Sequence, residues 1–299
     1  MGRSFQGRPF YLYCPFLKGR EAGNSGGDMH DPWLNWLEPV RMLAAEASER
    51  ILEVYATTFG VTAKEDDSPL TAADLVAHHA IIAGLRRLTP DLPILSEESA
   101  AVPFAERSQW RRYWLVDPLD GTKEFVKRNG EFTVNIALIE DHEPVLGVVR
   151  VPVTGVCYFA ARHYGAFRAE PGESPQPISV RPLRVGEPVR VAGSKTHGGE
   201  GLRAFVAALG AHHLVSIGSS LKFCRVAEGA ADVYPRLGLT SEWDTAAAQA
   251  IVEAAGGRVV SVETGEPLRY NTRDSLLNPY FIVYGDAGHD WLRYVPRES

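Results

Sequence analysis

Three apolar segments separated only by short turns constrain the fold of this chain more than any other feature. Residues 132–139, 144–151 and 156–160 have the length and composition of β-strands, and turn-forming residues lie between them. Parallel strands need crossover connections of a dozen residues or more, whereas antiparallel strands are joined by tight turns. The middle of the chain is therefore predicted to form an antiparallel meander.

The regions on either side of this meander have different patterns. Before it, apolar residues at helical spacing predict helices over 33–59 and 72–88. After it, a proline-rich connection leads into alternating elements: strands at 189–192, 215–217 and 232–234, and helices at 201–209, 220–228 and 245–255. We therefore expect an α/β protein in which an α+β half joins an α/β half near residues 183–188, with layered sheets and helices.

This pattern also gives the expected domain organisation. Residues 29–185 are predicted as the α+β half and residues 186–299 as the α/β half. Residues 1–28 end in a stretch of Gly, Asn and Ser, and we expect them to be a disordered extension. Architectures of this kind often bind ligands between their two halves.

Charge and cysteine content exclude several classes of function. A net charge of −6 gives the chain no general attraction for nucleic acid, so an anionic substrate would need local cations or metal ions. Cys14, Cys157 and Cys224 show no CxxC spacing, and no apolar run approaches the ~20 residues that span a bilayer. We expect a cytoplasmic protein, either free or peripheral at the inner membrane, and a monomer or a homodimer.

Two carboxylates follow an apolar strand in the segment Trp114-Leu-Val-Asp117-Pro-Leu-Asp120-Gly-Thr122. One interpretation is an ordinary surface turn, because Asp-Pro and Asp-Gly are common turn pairs. The other is a site at which Asp117, Asp120 and the Leu119 carbonyl offer oxygen ligands to a hard cation such as Mg²⁺. The segment alone leaves both interpretations open.

Three further acidic segments carry the same ambiguity. Glu97 and Glu98 follow a short apolar stretch and are either a solvated pair or ligands. Asp244 either caps a helix that starts at Thr245 or binds a cation. Asp74 either completes a capping box with Thr71 or serves a functional site held at the rigid start of a helix.

Taken together and in order, these segments resemble the blocks of the inositol monophosphatase superfamily. The blocks are Ser-Pro-Leu-Thr-Ala-Ala-Asp74, Leu-Ser-Glu97-Glu, Trp-Leu-Val-Asp117-Pro-Leu-Asp120-Gly-Thr122 and Trp-Asp244-Thr-Ala-Ala. The resemblance extends from about Trp33 to the C-terminus and implies an αβαβα sandwich of the inositol monophosphatase and fructose-1,6-bisphosphatase type. Lys123-Glu124 and the segment from Ile217 to Arg236 are most similar to CysQ-type 3′(2′),5′-bisphosphate nucleotidases.

The resemblance implies a magnesium-dependent phosphatase that converts adenosine 3′,5′-bisphosphate to AMP, with the phosphosulfate as a further candidate substrate. Glu97, Asp117, the Leu119 carbonyl, Asp120 and Asp244 are implied as ligands of two or three Mg²⁺ ions. Thr122 and Asp74 are implied as the pair that activates the attacking water. Inhibition by lithium is a further implication.

Substrate contacts are implied for a second group of residues: Gly121, Thr122, Lys123, Ser194, His197, Ser219, Lys222, Arg236 and Asp244. Arg236 follows Tyr234-Pro235 and suits bidentate recognition of a phosphate. Lys222 could instead lie on a solvated helix face, and His197 could be an ordinary loop histidine.

Two other functions remain open at this point. An inositol or other small sugar monophosphatase would share the metal-binding blocks and differ only at Lys123-Glu124 and in the segment 219–236. A non-catalytic nucleotide sensor, regulating sulfur metabolism or RNA processing, would be favoured by loss of a metal carboxylate or of Thr122, and all of these are present. A nuclease is disfavoured because the chain has no basic groove pattern with interleaved aromatic residues.

Overall fold

A computed structural model describes residues 33–57, 69–184, 186–193 and 199–296, with the side chains of residues 69–71 left out. The extension expected over residues 1–28 lies outside these ranges. Two long helices come first, α1 (Leu34–Tyr55) and α2 (Pro69–Leu88). Both correspond to the helices predicted from apolar spacing. None of the helices in the described ranges is long and apolar enough to cross a membrane.

The first sheet has seven strands in the spatial order in which they occur along the chain. The strands are β1 (Ile94–Ser96), β2 (Arg112–Asp120), β3 (Thr133–Glu140), β4 (Glu143–Arg150), β5 (Cys157–Ala161), β6 (Gly165–Ala169) and β7 (Gln176–Ile178), with the short helices α3 (Phe104–Arg107) and α4 (Thr122–Val126) between them. β1 pairs with β2 in parallel, and every later pair is antiparallel. The predicted meander is confirmed.

The second sheet has five strands in the order β11-β12-β10-β8-β9. Its elements are β8 (Val189–Gly193), α5 (Gly199–Leu209), β9 (His212–Ser216), α6 (Leu221–Ala227), β10 (Val233–Arg236), α7 (Ala246–Ala254), β11 (Arg258–Ser261) and β12 (Phe281–Tyr284). β8, β9 and β10 are parallel neighbours, while β12 is antiparallel to β10 and β11. The helices and parallel strands match the α/β pattern expected for this part of the chain.

Three apolar clusters hold five layers together. α1 and α2 pack on one face of the first sheet, where Val134, Ile136 and Leu138 of β3 contact them. Ala137 and Ile139 point to the opposite face, toward α6, α7 and the second sheet. The outer face of the second sheet packs on α5 and the C-terminal residues. The expected αβαβα sandwich is confirmed, and β3 is apolar on both faces because both are covered.

Gly147 determines how closely α7 packs on the first sheet. A Cβ on Gly147 of β4 would overlap the backbone carbonyl of Ala247 in α7. Only glycine lets this helix lie directly on the strand. The approach brings the N-terminal end of α7 close to the sheet that carries Asp117 and Asp120.

Several elements differ from the predictions. The proline-rich connection contains β7, in which Pro177 is tolerated because β7 is an edge strand. The strand expected at 215–217 begins earlier, at His212. Strands β6, β11 and β12 and helices α3 and α4 were not predicted, because most are too short to show a clear period. The division at residues 185/186 stays a prediction.

Candidate active site

Asp117 and Asp120 lie at the carboxyl end of β2. Residues three apart on a regular strand point to opposite faces. Here the pairing of β2 with β3 shifts register between Asp117 and Asp120, where Pro118 has no N–H to donate. The Leu119 N–H donates instead to Asp117 Oδ1 at 3.0 Å. This irregularity brings both carboxylates to one side.

Asp244 reaches the same point from the second half of the chain. It ends the 3₁₀ turn Glu242–Asp244, and its Oδ2 accepts a hydrogen bond of 2.9 Å from the Ser241 N–H in a capping box. The alternative in which Asp244 caps the following helix is wrong, because the N-cap of α7 is Thr245. One Asp244 oxygen is thereby fixed by the backbone while the carboxylate faces Asp117 and Asp120.

The three carboxylates form a compact cluster. One oxygen from each of Asp117, Asp120 and Asp244 lies within 4.8 Å of the others. Burial, followed by the charges of Asp120 and Glu97, raises the pKa of Asp117 well above its usual value. Burial and Asp120 raise the pKa of Asp244 to about 7.

Among the residues that the structure describes, no cationic side chain pairs with this cluster. None of the ion pairs formed within those ranges involves Asp117, Asp120 or Asp244. An all-oxygen donor set with unbalanced negative charge is what hard divalent cations prefer. The cluster therefore fits a metal ion.

Glu97 lies beside the cluster rather than inside it. Ser96 of β1 pairs with Val116 of β2, so Glu97 follows β1 at the level of Asp117. The residue belongs to an exposed 3₁₀ turn, and Asp117 and Asp120 are among the groups that influence the pKa of its carboxyl. Partial withdrawal of the carboxyl from water and the neighbouring Glu98 raise its pKa. Glu97 therefore lies next to the cluster, and its role as a metal ligand stays a prediction.

Ser220, which was not among the predicted site residues, holds Asp120 in place. Its N–H and Oγ lie 2.6 and 2.5 Å from Asp120 Oδ2, and its Oγ receives a hydrogen bond of 2.7 Å from Asn135 Nδ2. Ser220 immediately precedes α6, a position that favours serine. The preference for serine just before a helix was the only sequence signal at Ser220. It did not indicate that Asp120, one hundred residues away, would be its partner.

Asp74 and Thr122 lie on two different helices near the cluster. Asp74 of α2 is buried, and its burial, with the charges of Glu98 and Glu97, raises its pKa to about 8. Thr122 is the exposed first residue of α4. Among the hydrogen bonds of the described residues, none joins the two, so their action as a pair stays a prediction. α2 begins at Pro69, so Thr71 does not occupy the N-cap position that a capping box with Asp74 requires.

A cavity of about 530 Å³ opens beside the carboxylates. Seven of the predicted substrate residues line it: Gly121, Thr122, Lys123, Ser219, Lys222, Arg236 and Asp244. The other two, Ser194 and His197, lie outside the described residues. Gly121 has φ of 97°, and a Cβ there would lie 3.2 Å from the Ser219 side chain, so this turn needs glycine.

Two cations and a strained serine form the far wall of the cavity. Lys222 Nζ donates to the Ser219 carbonyl at 2.8 Å and lies 5.5 Å from the Tyr234 ring centroid, so Lys222 is not on a solvated helix face. Burial, together with Arg236, lowers the pKa of Lys222. Ser219 has a left-handed φ of 44°, which is uncommon for serine and typical of functional sites.

Three polar atoms on the cavity wall are unpaired among the described residues. Ser219 Oγ, Arg236 Nε and Thr240 Oγ1 are buried and have no hydrogen-bond partner within this part of the chain. Buried polar groups of folded proteins are nearly always paired. A polar ligand would complete them.

Comparison with known proteins places these features in context. Residues 35–287 match the model of the inositol monophosphatase family. The chain is 53% identical over 249 residues to the 3′(2′),5′-bisphosphate nucleotidase CysQ of Salmonella typhimurium, covering 83% of this chain and 98% of that protein. The corresponding Escherichia coli K12 protein, which has the same name, is 52% identical over the same lengths.

Solved structures agree with these sequence matches. CysQ from Bacteroides thetaiotaomicron superposes with a TM-score of 0.76 at 42% identity, covering 83% of this chain and 96% of that one. An inositol monophosphatase from Zymomonas mobilis superposes with a TM-score of 0.73 at 23% identity over 88% of this chain and 98% of that one, and this likeness concerns the fold alone.

Proposed function

Because the chain belongs to the inositol monophosphatase family, we propose that it is a metal-dependent phosphatase that removes the 3′-phosphate of adenosine 3′,5′-bisphosphate, yielding AMP and phosphate. One observation carries the proposal: a carboxylate cluster without cationic partners in the described residues shares a cavity with Lys222 and Arg236. A substrate with two phosphates matches both ends of this cavity. The similarity to bisphosphate nucleotidases at more than half of the aligned positions supports the same substrate.

The proposed metal is magnesium, held as two or three ions by Asp117, Asp120, Asp244, Glu97 and the Leu119 carbonyl. Such an ion, when bound, balances the carboxylates and the phosphate and makes water more acidic. Ser220 and Asn135 fix the orientation of Asp120, and the Ser241 N–H fixes that of Asp244. Ligands held in this way lose little rotamer freedom when a cation binds.

Thr122 and Asp74 are proposed to orient the attacking water and take its proton. A threonine hydroxyl is not a base by itself, but a carboxylate next to it can accept the proton that the hydroxyl relays. Lys222 and Arg236 are proposed to bind the phosphate that is not cleaved, with Ser219 alongside. Lys123, at the exposed mouth of the cavity, would then add positive charge for the incoming anion.

Parallel assays test this proposal. Phosphate release is measured from adenosine 3′,5′-bisphosphate and from inositol 1-phosphate, with magnesium and with a chelator. We expect a higher kcat/KM for the nucleotide and loss of both activities in chelator. A preference for inositol 1-phosphate would favour the sugar phosphatase, and nucleotide binding without turnover would favour the sensor.

The proposed setting is the cytoplasm, which is supported by the free thiols of the two described cysteines, Cys157 and Cys224. Association with the inner membrane and the choice between monomer and homodimer stay predictions.

A further inference from the structure

The hydroxyl of Thr240 is the unpaired cavity atom that the proposed phosphate contacts leave unexplained. Thr240 Oγ1 is buried, lines the cavity and has no hydrogen-bond partner in the described ranges. Buried hydroxyl groups of folded proteins nearly always have a hydrogen-bond partner. A polar group of a ligand in this cavity would supply one.

The backbone of Thr240 is fixed on both sides by the two ends of the cavity. The Leu239 carbonyl, in the peptide before Thr240, accepts a hydrogen bond of 2.7 Å from Arg236 Nη2. The Ser241 N–H, in the peptide after it, donates to Asp244 Oδ2 at 2.9 Å. Thr240 therefore lies between a peptide held by the guanidinium and a peptide held by a carboxylate of the cluster, and it lines the cavity that Arg236 and Asp244 also line.

A third contact holds this peptide from outside the cavity. The Asn278 N–H donates to the Thr240 carbonyl at 2.8 Å, and Asn278 Nδ2 donates to the Ser241 carbonyl at 2.7 Å. The peptides on both sides of Thr240 are thus held by hydrogen bonds. The position of Oγ1 is set before any ligand arrives, which suits a group that recognises one atom of the substrate.

We propose that the Thr240 hydroxyl binds the free ribose hydroxyl of the nucleotide, which is the 2′-hydroxyl of a 3′,5′-bisphosphate. This rests on the proposed function, in which Asp244 lies at the cleaved phosphate and Arg236 at the other one. The ribose is the part of the substrate that connects those two phosphates. Its 2′-hydroxyl is the only sugar hydroxyl that carries no phosphate.

The chemistry of the group favours the sugar over either phosphate. A phosphate needs donors, and Lys222 and Arg236 supply charged ones at this end of the cavity. A threonine hydroxyl both donates and accepts, as a sugar hydroxyl does. Because neither partner is charged, the bond selects between ribose and deoxyribose without adding to the attraction for anions.

The experiment compares Thr240→Val, which keeps the shape and removes the hydroxyl, with Thr240→Ser, which keeps the hydroxyl. Each variant and the wild type are assayed with adenosine 3′,5′-bisphosphate and with its 2′-deoxy analogue. For Thr240→Val we expect kcat/KM to fall about tenfold for the ribonucleotide, since the 2′-hydroxyl loses its partner, and to change less than about twofold for the deoxynucleotide. Thr240→Ser should remain close to wild type with both.

Thermal unfolding without ligand gives an independent readout. Removing an unpaired buried hydroxyl should leave the midpoint of Thr240→Val unchanged or higher, whereas a purely structural threonine would lower it. Equal loss of kcat/KM on both nucleotides, or no loss on either, overturns the assignment to the 2′-hydroxyl while leaving the nucleotidase proposal intact. If the wild type releases phosphate from neither nucleotide, the proposed function fails and this assignment falls with it.

Discussion

Asp232 and Asp117 are both almost fully buried, with 2% and 1% of their surface exposed, but their charges are balanced differently. Asp232 accepts hydrogen bonds from Arg181 Nε at 2.8 Å and Arg190 Nη2 at 3.0 Å. Burial alone would raise its pKa, and these two arginines outweigh it, so the pKa is lowered. Asp117 has carboxylates as its charged neighbours, and its pKa is raised.

This difference distinguishes a carboxylate that stabilises the fold from one for which we propose a role in the active site. At Asp232 the fold supplies the counter-charge, which keeps the ionised group inside the protein. At the cluster of Asp117, Asp120 and Asp244 no described cation forms an ion pair, and the pKa values of Asp117 and Asp244 are raised, so a cation from solution would balance the cluster. The same contrast applies to arginines: Arg181 and Arg190 are paired with Asp232, whereas Arg236 Nε has no partner among the residues described around the cavity.

The largest expected effect comes from removing one charge of the cluster. Asp244→Asn keeps the size of the side chain, and its Oδ1 can still accept from the Ser241 N–H. We expect kcat to fall by roughly 10³-fold or more, since a ligand of the proposed metal is lost. Circular dichroism should show an intact fold. A wild-type rate would mean that Asp244 serves only its capping box.

Asp232→Asn is the matched substitution at the structural site. It leaves Arg181 and Arg190 without their carboxylate, and both arginines are about three-quarters buried. We expect a loss of about 2–4 kcal/mol in the free energy of unfolding, measured in urea, with kcat per folded molecule close to wild type. If Asp232→Asn instead abolished turnover in a stably folded protein, the separation of the two carboxylate sites would be wrong.

How far these two sites could be predicted from the sequence depends on the range of their contacts. The carboxylates of the cluster lie in local segments whose strand and turn patterns could be recognised in the sequence, as could the meander and the two long helices. The partners of Asp232 lie 42 and 51 residues away, and Ser220 lies one hundred residues from Asp120, so no local pattern reveals them. Thr240 was missed for the same reason, because an unpaired hydroxyl is recognised only once its surroundings are known.

Arg236→Ala tests the arginine side of the comparison. Loss of a charged hydrogen bond to the uncleaved phosphate should lower kcat/KM for adenosine 3′,5′-bisphosphate by ~10- to 100-fold. Adenosine 3′-monophosphate, which lacks that phosphate, should be affected much less, because it never used the contact. An equal loss on both substrates would place Arg236 at the cleaved phosphate or in the structure of the loop.

The smallest expected effect is on the pH dependence of stability in the absence of divalent cations. Folding raises the pKa of Asp244 to about 7, so the folded state holds this proton more tightly than the unfolded state does. The stability that results is present at low pH and is lost as the pH rises from the usual pKa of about 3.9 through about 7. Asp232 has the opposite sign: its contribution is present above the usual pKa of about 3.9 and is lost below it.

Urea unfolding in chelator at pH 5 and pH 8 separates the two signs. Between pH 5 and pH 8 the contribution of Asp232 to the free energy of unfolding is constant. We therefore expect the wild type to be less stable at pH 8 than at pH 5 because of the carboxylate cluster. Asp244→Asn should reduce that loss by about 1–3 kcal/mol, because one proton-binding group is gone. Asp232→Asn should leave the difference between the two pH values unchanged while lowering stability at both. If the wild type and Asp244→Asn lost the same stability between the two pH values, the charge of Asp244 would be balanced within the metal-free fold. The contrast between Asp244 and Asp232 would then be wrong.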